Sequence, residues 1–392
     1  MAFLTEQDKQ YKTPEDICAH VGDEYARYLG AIVPPIFQNS LFVQPTEQNG
    51  MDSGEYYYSR VSNPTVEIAE RKIAALEGAD GALCFASGMA AITSGILYFT
   101  RAGSHIVLVG TAYGPASSFM RRYLAERFGV THTLVAGSSV EEIERAIRPE
   151  TTLIYLESPS SCVFTMQDLD AITAIAKERG IGTCIDNSYA TPLHQQPLSH
   201  GVDIVLHTAS KYLGGHSDIV AGALAARREI IESIQKNERE LLGGIMDPHQ
   251  AWLLVRGIRT LPVRLKQHGA SGRKVAAFLE RHPKIKKVFY PGSDTYEQKA
   301  LFDRYLTGTN GLIAFIPNGD DEQIARFVGS LRHFQRGVSW GGFESLITPI
   351  SYNEDAALCG IPQHLVRLHV GLEDVDTLIT DLEKGLALLP DA

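Results

Sequence analysis

Between residues 66 and 207, short apolar runs alternate with longer stretches of helical period, and few folds accommodate that alternation. VEIAERKIAALEG carries apolar residues three and four apart and stops at Gly78, as a helix does. GALCFAS, HIVLVG, HTLVAG, TTLIYLES, IGTCID and DIVLHT have strand length and no strict polar alternation. SGMAAITSGILYFT, ASSFMRRYLAERFG, VEEIERAIRP and LDAITAIAKERG have helical length and separate most of them. Strands apolar on both faces and joined by helices predict a mostly parallel sheet covered on both sides. Such sheets bind ligands beyond the carboxyl ends of their strands, so the residues just after each strand are the first candidates for chemistry.

The flanking regions read differently. Residues 1–60 are expected to be irregular, centred on IVPPIFQNSLF, where Pro34 and Pro35 forbid helix and sheet-interior pairing. Its apolar side chains need a surface to cover, either this chain's own core or a second subunit. Residues 61–256 form the expected large domain. From 257 to 392 the helical stretches and the runs KIKKVFYP, GLIAFIPN and VRLHVGL predict a smaller α/β domain. At 392 residues the chain can bury a substantial core. A net charge of −10 argues against nucleic acid or an anionic membrane as a bulk partner, though not against a small anion held locally. The five cysteines lack CxxC spacing, which predicts buried thiols rather than disulfides or a metal site. The amino terminus turns charged too early for a signal peptide, and no run is long enough to span a bilayer, so a cytoplasmic location is expected.

The strand ends carry the chemistry. After DIVLH come Thr208, Ser210 and then Lys211, followed by a glycine-rich turn. An amine can form an imine with an aldehyde, and neighbouring hydroxyls can donate to a phosphate, so this arrangement suits pyridoxal phosphate (PLP). The plain alternative is a surface lysine at a helix start. Ser87, Gly88 and Met89 open a helix whose amides and dipole would favour a phosphate, although glycine at a helix start is common for steric reasons alone. Asp186 ends an apolar strand, where an ionised carboxylate is costly unless paired. A pyridinium N–H would pair it, and so would the N–H groups of the turn NSYATP. Tyr113 could lie flat over a ring or simply pack its loop. Arg367 is a single cation in an apolar run, suited to a bidentate carboxylate or to an internal salt bridge. No GxGxxG follows the first strand, which disfavours a dinucleotide site.

Taken together, SRVSNPT, FASGMAAI, AYG, ESPSS, IDNSYATP, HTASKYLGGHSD, SWGGFESLI and RLHVGLEDVDTLI resemble, in order and spacing, the Cys/Met-metabolism PLP enzymes. That family includes cystathionine β-lyase, cystathionine γ-lyase, cystathionine γ-synthase and methionine γ-lyase. The resemblance runs from Val33 to Leu382. It implies the aspartate-aminotransferase-like fold (fold type I), with a mostly parallel seven-stranded sheet and a smaller C-terminal α/β domain. It implies Lys211 as the Schiff-base lysine, Asp186 as the partner of the pyridine nitrogen and Tyr113 stacked on the ring. It places Gly88, Met89, Thr208 and Ser210 on the phosphate, joined by Tyr58 and Arg60 from a neighbouring subunit, with Tyr58 and Tyr113 catalytic beside Lys211. Arg367 and Ser339 would bind the substrate carboxylate, with Trp340 and Ser161 as further substrate-binding residues. A site shared between chains implies at least a homodimer, and the family is typically a tetramer. Within the family, Trp340 in SWGGFESLI and Ser161 in ESPSS resemble bacterial cystathionine β-lyase, whereas SRVSNPT and IDNSYATP read like the γ-enzymes. The expected activity is C–S β-elimination on cystathionine or a related cysteine S-conjugate. γ-Elimination or γ-replacement is the alternative, and a non-catalytic PLP-binding relative a more distant one.

Overall fold

The computed structural model describes residues 3–44 and 55–391. All six apolar runs of the central region form strands: β1 (Gly81–Phe85), β2 (His105–Val109), β3 (Thr131–Val135), β4 (Thr151–Glu157), β5 (Gly182–Asp186) and β6 (Ile204–His207). A seventh, β7 (Gly222–Ala226), completes a sheet of order β1-β7-β6-β5-β4-β2-β3. From β6 to β3 the strands run parallel, whereas β7 is antiparallel to both its neighbours. The sequence of β7, GALAA, lacks the branched and aromatic residues that mark strands, and so reads poorly as one. Its smallness has a steric reason. A Cβ on Gly222 would lie 2.1 Å from the carbonyl oxygen of Ser87, so the strand passes directly beneath the turn that opens the helix Gly88–Phe99.

The helices carry ordinary local signals. Helix Pro64–Glu77 starts on Asn63, whose side chain accepts from Thr65 N, and ends on Gly78 at φ +66°. Helix Gly88–Phe99 is capped by Ser87, whose hydroxyl accepts from Ala90 N. The stretch after Tyr113 is a single helical rod, but it widens to π geometry between Phe119 and Leu124.

A second sheet of order β10-β11-β12-β9-β8 comprises β8 (Ile285–Phe289), β9 (Leu312–Pro317), β10 (Gln335–Arg336), β11 (Leu346–Pro349) and β12 (Val366–His369). The short β10 and β11 are carried by a glycine-rich stretch with little strand character in its sequence. The loop between them, residues 337–345, returns towards the large sheet.

The amino-terminal region departs from the expectation of irregular chain. Thr13 accepts from Asp16 N and Pro14 occupies the first turn, so residues Pro14–His20 are helical. Buried ion pairs then tie this region down: Asp8 to Arg71, and Asp23 to Lys72 and Arg259. The IVPPIFQNSLF stretch is non-helical as expected, and its Ile32, Leu41 and neighbouring Val43 lie exposed on the single chain. Residues 1, 2 and 45–54 of the expected amino-terminal segment lie outside the described residues.

Candidate active site

A cavity of about 280 Å³ opens at the carboxyl ends of β1, β4, β5 and β6. Its walls include Gly88, Met89, Tyr113, Ser161, Asp186, Thr208, Ser210, Lys211, Trp340 and Arg367. Parallel strands explain the convergence: each crossover returns the chain to the same rim.

Two carboxylates form the floor. The register of β4 on β5 sets Glu157 directly beside Asp186. Both are buried, and burial pushes both carboxyls above the usual range, with Asp186 adding to the rise at Glu157. Asp186 Oδ1 accepts from Ser188 N at 2.9 Å, and His207 and Lys211 also pull its pKa partly back. The turn-capping role is therefore real. It engages one oxygen and leaves the carboxylate able to accept a further donor from the cavity. Glu157 Oε2 accepts from Tyr113 N (2.7 Å) and Oε1 from Ser161 N (2.9 Å), so one buried side chain fixes two walls at once. Glu157 is the acidic residue at the end of the TTLIYLES run, and nothing in the sequence marks this task. The contacts it makes are to backbone amides, which leave no trace in residue type.

Lys211 Nζ donates to Ser339 Oγ at 2.6 Å and stands 5.3 Å from the centre of the Trp340 ring. Burial first, and then the charge of Arg367, lower its pKa to about 8. A base is thus poised near neutrality, as proton transfer requires. Arg367 donates to the carbonyls of Ser161 (3.1 Å) and Val338 (2.7 Å), and among the described residues no carboxylate pairs with it. The internal salt bridge that its position allowed is not formed.

The opposite wall suits a phosphate. Gly88 and Met89, whose amides open the helix after Ser87 and have no intrahelical acceptor, line the cavity. A Cβ on Gly88 would lie 2.5 Å from Thr208 Oγ1, so only glycine lets that hydroxyl approach. Thr208 is set by Ser188, whose Oγ accepts from Thr208 N (2.6 Å). Ser210 lines the cavity, but its hydroxyl also exchanges hydrogen bonds with Ala221. A phosphate cradle at one end, a buried carboxylate at the other and an amine between them fit a phosphorylated pyridine aldehyde.

Tyr58 and Arg60 are not in this cavity. The Arg60 guanidinium lies 5.2 Å from the Tyr58 ring centre and donates to the Glu240 carbonyl at 2.8 Å. Nearby Leu241 and Leu242 are exposed.

Residues 15–387 match the family model for Cys/Met metabolism PLP-dependent enzymes. The chain belongs to that family. It is 37% identical over 380 residues to an L-methionine gamma-lyase of Pseudomonas putida, covering 94% of this chain and 95% of the relative. It is also 37% identical over 375 residues to a cystathionine beta-lyase of Lactococcus lactis subsp. cremoris, covering 94% and 97%. The crystal structure of metB from Corynebacterium glutamicum superposes with a TM-score of 0.91 at 32% identity, over 96% of this chain and 98% of that one. The fold is therefore fold type I, the cofactor of this Cys/Met-metabolism enzyme is pyridoxal 5′-phosphate, and its class is carbon–sulfur lyase. Among the described residues no helix is long and apolar enough to cross a membrane.

Proposed function

We propose that this lyase cleaves the Cβ–S bond of cystathionine or a related cysteine S-conjugate, releasing a thiol, pyruvate and ammonia. In this reading Lys211 carries the coenzyme aldehyde and afterwards acts as the base, while Asp186 pairs with the pyridine nitrogen. Gly88, Met89, Thr208 and Ser210 take the phosphate. Tyr113 covers the ring, and Ser161 faces it from the ESPSS turn. The coenzyme, when bound, supplies an electron sink for the pair left at the substrate α-carbon.

The chain's own groups do the rest. Arg367 takes the α-carboxylate, assisted by Ser339, and so turns the α-proton towards Lys211 Nζ. With a pKa of about 8 the amine is partly neutral at physiological pH and accepts that proton. The burial of Asp186 keeps water from competing for its carboxylate. A second copy of the chain would bring Tyr58 and Arg60 to the phosphate and cover the exposed apolar side chains at Ile32, Leu41 and Val43. The homodimer is therefore part of this proposal, with a tetramer of two such dimers as its expected extension.

The observation that carries β over γ chemistry is the Trp340 ring, 5.3 Å from Lys211 Nζ. γ-Elimination needs a second proton taken from Cβ, hence an amine free to swing between two carbons, and the indole occupies part of that space. The second reading, a γ-lyase, has its own support in the 37% identity to a protein named L-methionine gamma-lyase. Cystathionine separates the two: β-cleavage yields pyruvate and γ-cleavage 2-oxobutyrate. Predominant 2-oxobutyrate from the purified enzyme would overturn the β assignment.

A further inference from the structure

Behind the lysine-bearing turn lies a group of rings that the proposed chemistry does not use. Tyr212 meets His268 edge-on (ring centres 5.3 Å apart) and His369 likewise (5.8 Å), and it tilts against Trp340 (5.6 Å). The two histidines stand 5.1 Å apart. Both are shut off from solvent, and burial keeps both rings neutral. A buried histidine with one satisfied nitrogen is usually packing, and His268 fits that description: its Nδ1 donates to the Val370 carbonyl at 2.9 Å.

His369 reaches further. Its Nε2 lies 3.1 Å from Gly341 N and 3.2 Å from Gly342 O, both in the loop that carries Ser339 and Trp340. One neutral tautomer accepts from the Gly341 amide and the other donates to the Gly342 carbonyl, so in either state this nitrogen binds the loop. The loop itself is pressed onto the lysine. Gly341 sits at φ +87°, and a Cβ there would lie 2.7 Å from Tyr212 N and 3.0 Å from Lys211 C. Two residues before His369 on β12, and hence on the same face of the strand, Arg367 donates to Val338 O. β12 thus grips the loop at both ends.

We propose that His369 is a positioning residue, which pins Gly341 and Gly342 to β12 and thereby sets Ser339 and Trp340 over the Lys211 amine. This rests on reading Lys211 as the reactive lysine, and it adds what fixes the space above that amine.

His369→Phe keeps a ring and removes the nitrogens, while His369→Gln keeps a donor and an acceptor. The chain has two tryptophans, so a Trp252→Phe background leaves Trp340 as the sole tryptophan, excited selectively at the red edge of the absorption band. In that background, His369→Phe is expected to lower kcat roughly 100-fold with little change in KM. It should also raise acrylamide quenching of Trp340 in the coenzyme-loaded protein, and His369→Gln should restore both towards the parent. Unchanged kcat and quenching in His369→Phe would overturn the proposal, as would a fall in kcat with no change at Trp340, or a failure of Gln to rescue. If the Phe variant does not fold, His369→Ala with added imidazole replaces it: recovery of turnover and of Trp340 shielding supports the role, and no recovery counts against it. Borohydride trapping of the coenzyme on Lys211 is run in parallel. Its absence from the unmutated protein would strike the reading of Lys211 rather than that of His369.

Discussion

The two ends of the seven-stranded sheet make opposite use of polar groups. At the amino ends of β4 and β5 lies an open cleft of about 1070 Å³, lined by Arg101, Thr183, Asp203 and Arg227 among others. At the carboxyl ends the cavity is only about 280 Å³. In the large cleft the carboxylate at the strand starts is answered from two sides. Asp203 accepts from both Thr183 N and its hydroxyl at 3.0 Å, and from Arg227 at 2.7 Å. In the small cavity, among the described residues, Arg367 pairs with no carboxylate, the Lys211 amine donates to a serine hydroxyl alone, and the charge of Asp186 disfavours that of Glu157. Volume therefore says little about function here. Unreconciled polar groups, converging on one point and costly to bury, mark the end that waits for a ligand.

The sharpest way to break this contrast is at Lys211. Lys211→Ala should leave no borohydride-trappable coenzyme at that position and reduce kcat by about 10⁴-fold or more, since the proposed covalent link and the proposed base are lost together. Turnover within tenfold of the parent would mean that the small cavity is not the reactive end. Asp186→Asn is the next largest. It removes the ionised group proposed to pair with the ring nitrogen while keeping the side chain's shape, and a charge-assisted bond worth about 2–3 kcal/mol corresponds to roughly 100-fold in rate. Arg367→Lys keeps the charge but loses the planar fork, so KM for the amino-acid substrate should rise about tenfold with a smaller change in kcat.

How much of this contrast was visible beforehand depended on what kind of contact makes it. Apolar runs and helical periods gave β1 to β6 and the rim they share, because burial of both sheet faces writes itself into composition. Asp186 and Arg367 stand out because each is a charged residue in an apolar run, and Lys211 because hydroxyls precede it and a glycine-rich turn follows. β7 was hidden because steric closeness to Ser87 demands alanine and glycine, residues with little strand character. Glu157 and His369 were hidden for another reason. Their work is done on backbone amides and carbonyls of distant loops, and no side-chain partner advertises it. The helix Pro14–His20 runs against the expectation of irregular chain, although Thr13 and Pro14 are an ordinary helix start. Family likeness supplied Tyr58 and Arg60, whose place on one chain, beside Glu240, offers no hint of a phosphate.

A pH experiment sharpens the comparison without removing a reactive group. Coenzyme capture by the apo-protein requires the neutral amine. The pKa of Lys211 is lowered to about 8, mainly by burial and next by Arg367. Below pH 8 the neutral fraction, and with it the capture rate, should rise about tenfold per pH unit and then level off above it. In Arg367→Gln the nearby cation is gone, so the amine should hold its proton more tightly and the plateau should move to higher pH. Stopped-flow absorbance at a series of pH values measures both. A plateau that stays in place in Arg367→Gln would show that the guanidinium does not act on the amine.

The smallest expected effect lies at the other end of the sheet. Arg227 is half exposed and its pair with Asp203 sits at the surface of the large cleft. Exposed pairs contribute little because water screens them and both side chains lose freedom, so Arg227→Ala should cost about 0.5 kcal/mol or less. Asp203 keeps its two bonds from Thr183, which anchors the start of β5 without the arginine. Thermal unfolding should therefore shift by no more than a degree or two, and kcat and KM should match the parent. A tenfold change in either constant would show that the cleft communicates with the cavity through the strands. The separation of the Asp203 pair from the reactive end of the sheet would then have to be abandoned.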